Sequence, residues 1–153
     1  MRIVFWYQRD DMMVTNQTEL EHNSIVHEMH WDCQHWKSTL QFIDDGIVFI
    51  EGLLKSYKFL PNTPGLFEKL QDYHRRLKNL KTIKSEVRSS LSRYENISGG
   101  LMEVYECKCD EQLYQKHELL KAQVADCGER FTALRLEIYS YAAGILKNRK
   151  LKD

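Results

Sequence analysis

The chain has little that breaks a helix. Two prolines and seven glycines occur in 153 residues, too few for a turn-rich β fold and suited to long uninterrupted helices. No charge excess exists either: 22 Lys and Arg balance 22 Asp and Glu, so no global field draws in nucleic acid or an anionic membrane. No segment approaches the roughly 20 apolar residues that span a bilayer. The apolar run in "MRIVFWYQRDD" is too short for a signal-peptide core and charge follows closely, so the four cysteines are expected to be reduced thiols in a cytoplasm. Glycine-rich phosphate loops and nucleophile elbows are missing, and an enzymatic function has no support in the sequence.

What is present is periodicity. Val26, Met29, Cys33, Trp36, Leu40, Ile43, Ile47, Ile50, Leu54 and Tyr57 step by three and four without a miss, the spacing of a helix packed on near-parallel neighbours. Phe42 and Phe49 widen this stripe and imply contact with more than one partner helix. A second seam runs Leu70, Tyr73, Leu77, Leu80, Lys84, Val87, Leu91, Tyr94. The third reads Leu113, His117, Leu120, Val124, Cys127, Phe131, Leu134, Ile138, Tyr141, Ile145. Thr18 with Glu21 forms a capping-box pattern that predicts a helix start near Glu19. "LPNTPG" ends that helix, Thr63 and Pro64 open the next, and "SGG" at 98–100 closes it.

The expected fold is therefore all-α: an antiparallel up-down-up bundle of three long helices, with the third bent or broken near Gly128 as one option. Residues 19–148 form its single domain. Residues 1–18 read as an N-terminal arm or as an upstream extension of a start at Met12 or Met13, and 149–153 as a basic tail. Charge supports this layout: residues 69–93 carry a net +6, against −4 over 19–59 and −3 over 103–130, and a basic helix between two acidic ones disfavours mispairing. The rival reading of "HRRLKNLKTIK", a nucleic-acid stripe, is weakened by those acidic neighbours.

On these boundaries helix two is about 50 Å long and helix three, from about 102 to 148, about 70 Å. Helix three then draws level with residue 65 near residue 133. Ile138, Tyr141 and Ile145 overhang, and a second copy of the chain is expected to cover them. Lys147, Arg149 and Lys150 beyond them suit a helix C-terminus.

Several groups invite a chemical reading. "HEMHWDCQH" at 27–35 holds three histidines, a cysteine and two acids, but at helical spacing the histidines point in different directions, while Met29, Cys33 and Trp36 face the core. A rim-lining face suits it better than a metal site. Glu106 and Asp110, on the third seam extended backwards and roughly level with His30, Cys33 and Tyr94, are a better metal set. Glu19 and His22 match the ExxH spacing of di-iron bundles, yet the second motif is replaced by Gln71 with His74 and Tyr114 with His117. The alternative is that Glu106 and Asp110 sit at a wet bundle end or pair with Lys84. "CKC" at 107–109 places its sulfurs about 200° apart on a helix. "KHELLK" at 116–121 is near a phospho-accepting histidine motif, lacks the proline that follows it, and puts His117 in the apolar seam.

The stretch "WDCQHWKSTLQFIDDGIVFIEGLL", residues 31–54, has a W-x4-W-x5-F rhythm. It resembles small helical proteins of Bacteroidetes that carry no assigned function, over about residues 20–148. The resemblance implies a cytosolic helical bundle and nothing about activity. The sequence thus predicts a non-enzymatic helical interaction or scaffold module, self-associating, with no cofactor and no catalytic residue. The alternatives are a metal-binding bundle and a phosphotransfer bundle.

Overall fold

A computed structural model describes residues 4–56, 63–103 and 111–151. It contains three helices, α1 (Val4–Leu54), α2 (Leu66–Glu103) and α3 (Glu111–Lys150), and no strand among the described residues. The chain direction follows from side-chain contacts. As α1 partners rise through Lys37, Asp44 and Glu51, their partners on α2 fall through Glu95, Arg88 and Lys81. Between α2 and α3 the contacts Tyr94–His117, Arg76–Glu137 and Tyr73–Tyr141 fall and rise likewise. Along α1 and α3 the pairs Trp36–His117, Phe42–Phe131 and Phe49–Tyr139 rise together. The bundle runs up, down, up.

The three heptad seams make the core. Leu40, Ile43, Ile47 and Ile50 of α1 are buried against Tyr73, Leu77 and Leu91 of α2 and Phe131 and Ile138 of α3. Each such side chain contributes about 1.5–3 kcal/mol by leaving water. One glycine is required by close approach: a Cβ on Gly46 would stand 2.2 Å from the tip of the Phe131 ring. Gly65, at φ +71°, lets the chain turn into α2, with Lys69 N–H donating to its carbonyl at 3.2 Å.

The helix ends depart from expectation, and the departures share a cause. α1 does not start near Glu19: it is helical from Val4, so residues 4–18 continue the first helix. Neither Pro nor Gly occurs between 4 and 45, and a capping box alone does not interrupt a helix that propagates cooperatively. α2 passes through Ser98-Gly99-Gly100 and ends at Glu103. A helical glycine costs about 1 kcal/mol against alanine, which a packed helix absorbs. α3 begins at Glu111, not near 102, and is unbroken at Gly128.

Those shifts remove the C-terminal overhang. α2 and α3 have 38 and 40 residues, about 57 and 60 Å, and end level. Ile138 is 0% exposed and Ile145 8%, while the Tyr141 ring packs against Tyr73 at 6.0 Å. All three belong to the chain's own core layer, not to an uncovered surface. The longer element is α1, whose residues before about 25 lie beyond the level of Glu111, with Leu20 and Ile25 exposed.

Candidate functional site

The core holds one polar layer that touches all three helices. His117 on α3 is 6% exposed. Its Nε2 lies 2.8 Å from Asp32 Oδ2 on α1, and its Nδ1 lies 2.8 Å from the Tyr94 hydroxyl on α2. A carboxylate only accepts, so Nε2 carries the proton, and the Tyr94 O–H donates to Nδ1 in the neutral ring. Trp36 covers the imidazole, ring centres 4.8 Å apart. Every polar atom of the ring is thereby paired, as a buried ring requires.

This occupancy decides what His117 can do. A phosphoryl acceptor or a general base needs a lone pair facing solvent or substrate. Here one nitrogen donates to Asp32, the other is hydrogen-bonded to the Tyr94 hydroxyl, and Trp36 closes the face. The layer ties the three helices at one level, since a slip by one heptad separates His117 from both Asp32 and Tyr94.

The bundle's edges differ in chemistry. Where α1 meets α2, Lys37 pairs with Glu95, Lys81 with Glu51, and Asp44 accepts from Lys84 and, at 2.7 Å, from Arg88. Burial first, and then the neighbouring Arg88, hold Lys84 below the ordinary lysine value even with Asp44 beside it. Lys84 thus finds an acid on α1 in Asp44. Across α2 and α3, Arg76 donates to Glu137 at 2.8 Å and to Asp72 at 3.4 Å, and Arg75 to Asp72 at 2.6 Å. Five of the eight cations between 69 and 93 (Arg75, Arg76, Lys81, Lys84, Arg88) are therefore tied to acids, and "HRRLKNLKTIK" does not present a continuous basic stripe.

Where α1 meets α3 the edge is aromatic. Phe42 stands edge-on to Phe131 and Phe49 edge-on to Tyr139, with centres 6.1 and 6.3 Å apart. The Arg135 guanidinium lies over Phe42 and Phe131. These rings are less than half covered: Trp31 is 67% exposed, Phe42 59% and Phe49 62%. Trp31 stacks on His35, nearly parallel at 5.7 Å. On α1, Trp31, His35, Phe42 and Phe49 step by four, seven and seven, one helical stripe. On α3 the matching stripe is Tyr114, Lys121, Ala125, Gly128, Thr132, Tyr139, Leu146. Its middle is small, and a shallow, open hollow beside it is lined by Ala125, Gly128, Glu129, Thr132, Ala133 and Leu136. A contiguous apolar face of this kind marks an interaction site more often than scattered exposed residues do.

The "HEMHWDCQH" stretch is divided as its spacing predicts: His27, His30 and His35 are exposed, while Met29, Cys33 and Trp36 are buried. Burial, with smaller contributions from Glu95 and Asp32 against Lys37, pushes the Cys33 thiol up to about 11, which keeps it protonated and a poor metal ligand at neutral pH. Glu106, Asp110 and the two cysteines of "CKC" lie outside the described residues, as do the side chains of Glu19 and His22. Among the described residues no group of three or more His, Cys, Asp or Glu side chains is placed to hold a metal. Sequence reasoning missed the Asp32–His117 pairing because it began α3 near 102. With α3 starting at Glu111, His117 takes the level beside Tyr94 that had been given to Glu106 and Asp110. The usable signal was that two seam positions at one level, 94 and 117, are polar.

No family model matches this chain, and no curated protein or solved structure shows significant similarity to it.

Proposed function

We propose that the protein is a non-enzymatic helical interaction module that self-associates. The half-covered aromatic face where α1 meets α3 supports this reading. Trp31, Phe42, Phe49, Tyr139 and Leu146 share it, whereas the α1–α2 edge is finished with ion pairs. Rings that remain wet in one chain gain most from a second surface, because burial of apolar area is the main driving force for association. The interior supports a scaffold role as well, since the buried His117 has both nitrogens engaged.

Static light scattering over a concentration series tests the reading. The mass is expected to rise from one chain to two, and the melting temperature to climb with concentration, since association adds stability by mass action. A mass of one chain throughout, with a concentration-independent melt, removes it.

A further inference from the structure

We infer that the groove between α2 and α3 at the level of Tyr94 binds a small carboxylate with an aliphatic tail, in chemical class a medium-chain fatty acid. This goes beyond the self-association reading and makes no use of the α1–α3 face. A hollow of about 340 Å³ opens there, lined by Ser90, Arg93, Tyr94 and Ile97 of α2 and by Lys116, Leu119, Leu120 and Gln123 of α3. Ligand pockets begin at about 300 Å³. The floor is apolar, made by Leu120 and the Tyr94 ring, both buried, and the walls carry the exposed Ile97 and Leu119. Residues 94 and 117 stand at one level, joined by their hydrogen bond. Arg93 and Lys116 are their chain neighbours, so both cations lie close to that level on opposite sides of the groove. Arg93 is oriented there by donating to the Ser90 hydroxyl at 3.2 Å.

Charge selects the ligand. No acid lines this hollow, and among the described residues neither Arg93 nor Lys116 is in an ion pair. The acids near it are directed elsewhere. Glu95 meets Lys37 of α1, and Asp126 accepts from Arg130. Glu86 lies a heptad before Arg93, beyond the end closed by Ser90 and Gln123. Glu118 shares the helical row of Ala125, Thr132 and Tyr139, which turns toward α1. The bundle's other cationic grooves are neutralised from within. In the α1–α2 groove Lys37 and Arg88 meet Glu95 and Asp44. In the α2–α3 groove one heptad further on, Arg76 and Arg130 meet Glu137 and Asp126. Two cations beside an apolar floor, with no acid of the chain between them, favour an anionic head. The wet Ile97 and Leu119 favour one that carries a tail. From Ser90 to Ile97 the hollow runs about 10 Å, which suits a short chain. With the carboxylate between Arg93 and Lys116, the tail lies over Leu120 and the Tyr94 ring, flanked by Ile97 and Leu119.

Titration of the isotope-labelled chain with sodium octanoate, followed by amide NMR, tests the site, with octanol as the tail alone and acetate as the charge alone. Octanoate is expected to saturate with a Kd on the order of 0.1–1 mM, the range open to a ligand of about ten heavy atoms. The amides that move are expected to be those of 90–97 and 116–123. Octanol and acetate are each expected to bind at least about tenfold more weakly, lacking the charge-assisted contact or the buried tail. The double variant Arg93→Gln/Lys116→Gln is expected to bring octanoate down to the octanol level. Both side chains are exposed, so its melting temperature is expected to hold. Leu119→Gln, also at an exposed position, is expected to weaken octanoate and octanol alike. Octanol that binds as tightly as octanoate, or a double variant that keeps its octanoate, overturns the anionic head. No saturation below about 10 mM, or shifts centred on other residues, overturns the site. A short peptide of alternating leucine and glutamate that binds at the same amides, and more tightly than octanoate, overturns the fatty-acid class and assigns the groove to a protein segment.

Discussion

The two edges of α1 are built from different materials. Toward α2 it offers Lys37, Asp44 and Glu51, each matched by an opposite charge. Toward α3 it offers Trp31, Phe42 and Phe49, each more than half exposed. Exposed ion pairs are worth about 0–1 kcal/mol and finish a surface against water without adding much stability. Half-buried rings leave free energy unclaimed until something covers them. The charged edge is thus closed against water, and the aromatic edge is left open to it.

The largest expected effect comes from emptying the aromatic edge. Phe131 is buried between Gly46, Phe42 and Arg135, and Phe131→Ala is expected to cost about 3–5 kcal/mol in urea unfolding. A loss under 1 kcal/mol means that α1 and α3 do not pack closely there.

Next in size is His117→Ala, at about 2–4 kcal/mol, because it opens a cavity and leaves the buried Tyr94 hydroxyl without its histidine partner. Two-dimensional NMR of the labelled ring gives an independent check. A proton on Nε2 is expected, and a ring protonated at Nδ1 alone contradicts the assigned pairing.

A pH effect of order 2 kcal/mol follows from Cys33. Its folded value of about 11 exceeds the ordinary 9.0, so the native chain binds the thiol proton more tightly than the unfolded chain. The contribution is whole below about pH 9 and is lost as pH rises toward 11. Thermal melts across that window should show a decline that Cys33→Ala flattens. An equal decline in the variant assigns the effect to other groups.

The smallest effect belongs to the charged edge. Lys81→Ala removes the pair with Glu51 and is expected to cost less than about 1 kcal/mol, diminishing further in salt. A loss of 3 kcal/mol would show that this edge carries the fold and reverse the comparison.

The contrast between the edges was partly legible beforehand. Heptad spacing identified all three helices, and every described member of the third seam is buried except half-buried Tyr141. It also marked Phe42 and Phe49 as reaching beyond one partner. Helix ends were not legible, because Thr18, Gly99 and Gly100 signal termini with local preferences near 1 kcal/mol that tertiary packing outweighs. That error propagated. A nine-residue slide in the start of α3 created an overhang at Ile138, Tyr141 and Ile145, and it hid the level at which Asp32, Tyr94 and His117 meet. Periodicity reports which face is inside; it does not report where one helix stands along another.

The central claim is that aromatic burial on the α1–α3 face, and not charge, holds two copies together. Sedimentation equilibrium of the wild-type chain at low salt and at about 1 M salt, where the Debye length is near 3 Å, tests it most directly. The account predicts a two-chain mass that persists or tightens in high salt. A mass that falls to one chain as salt rises, or that never leaves one chain, contradicts it.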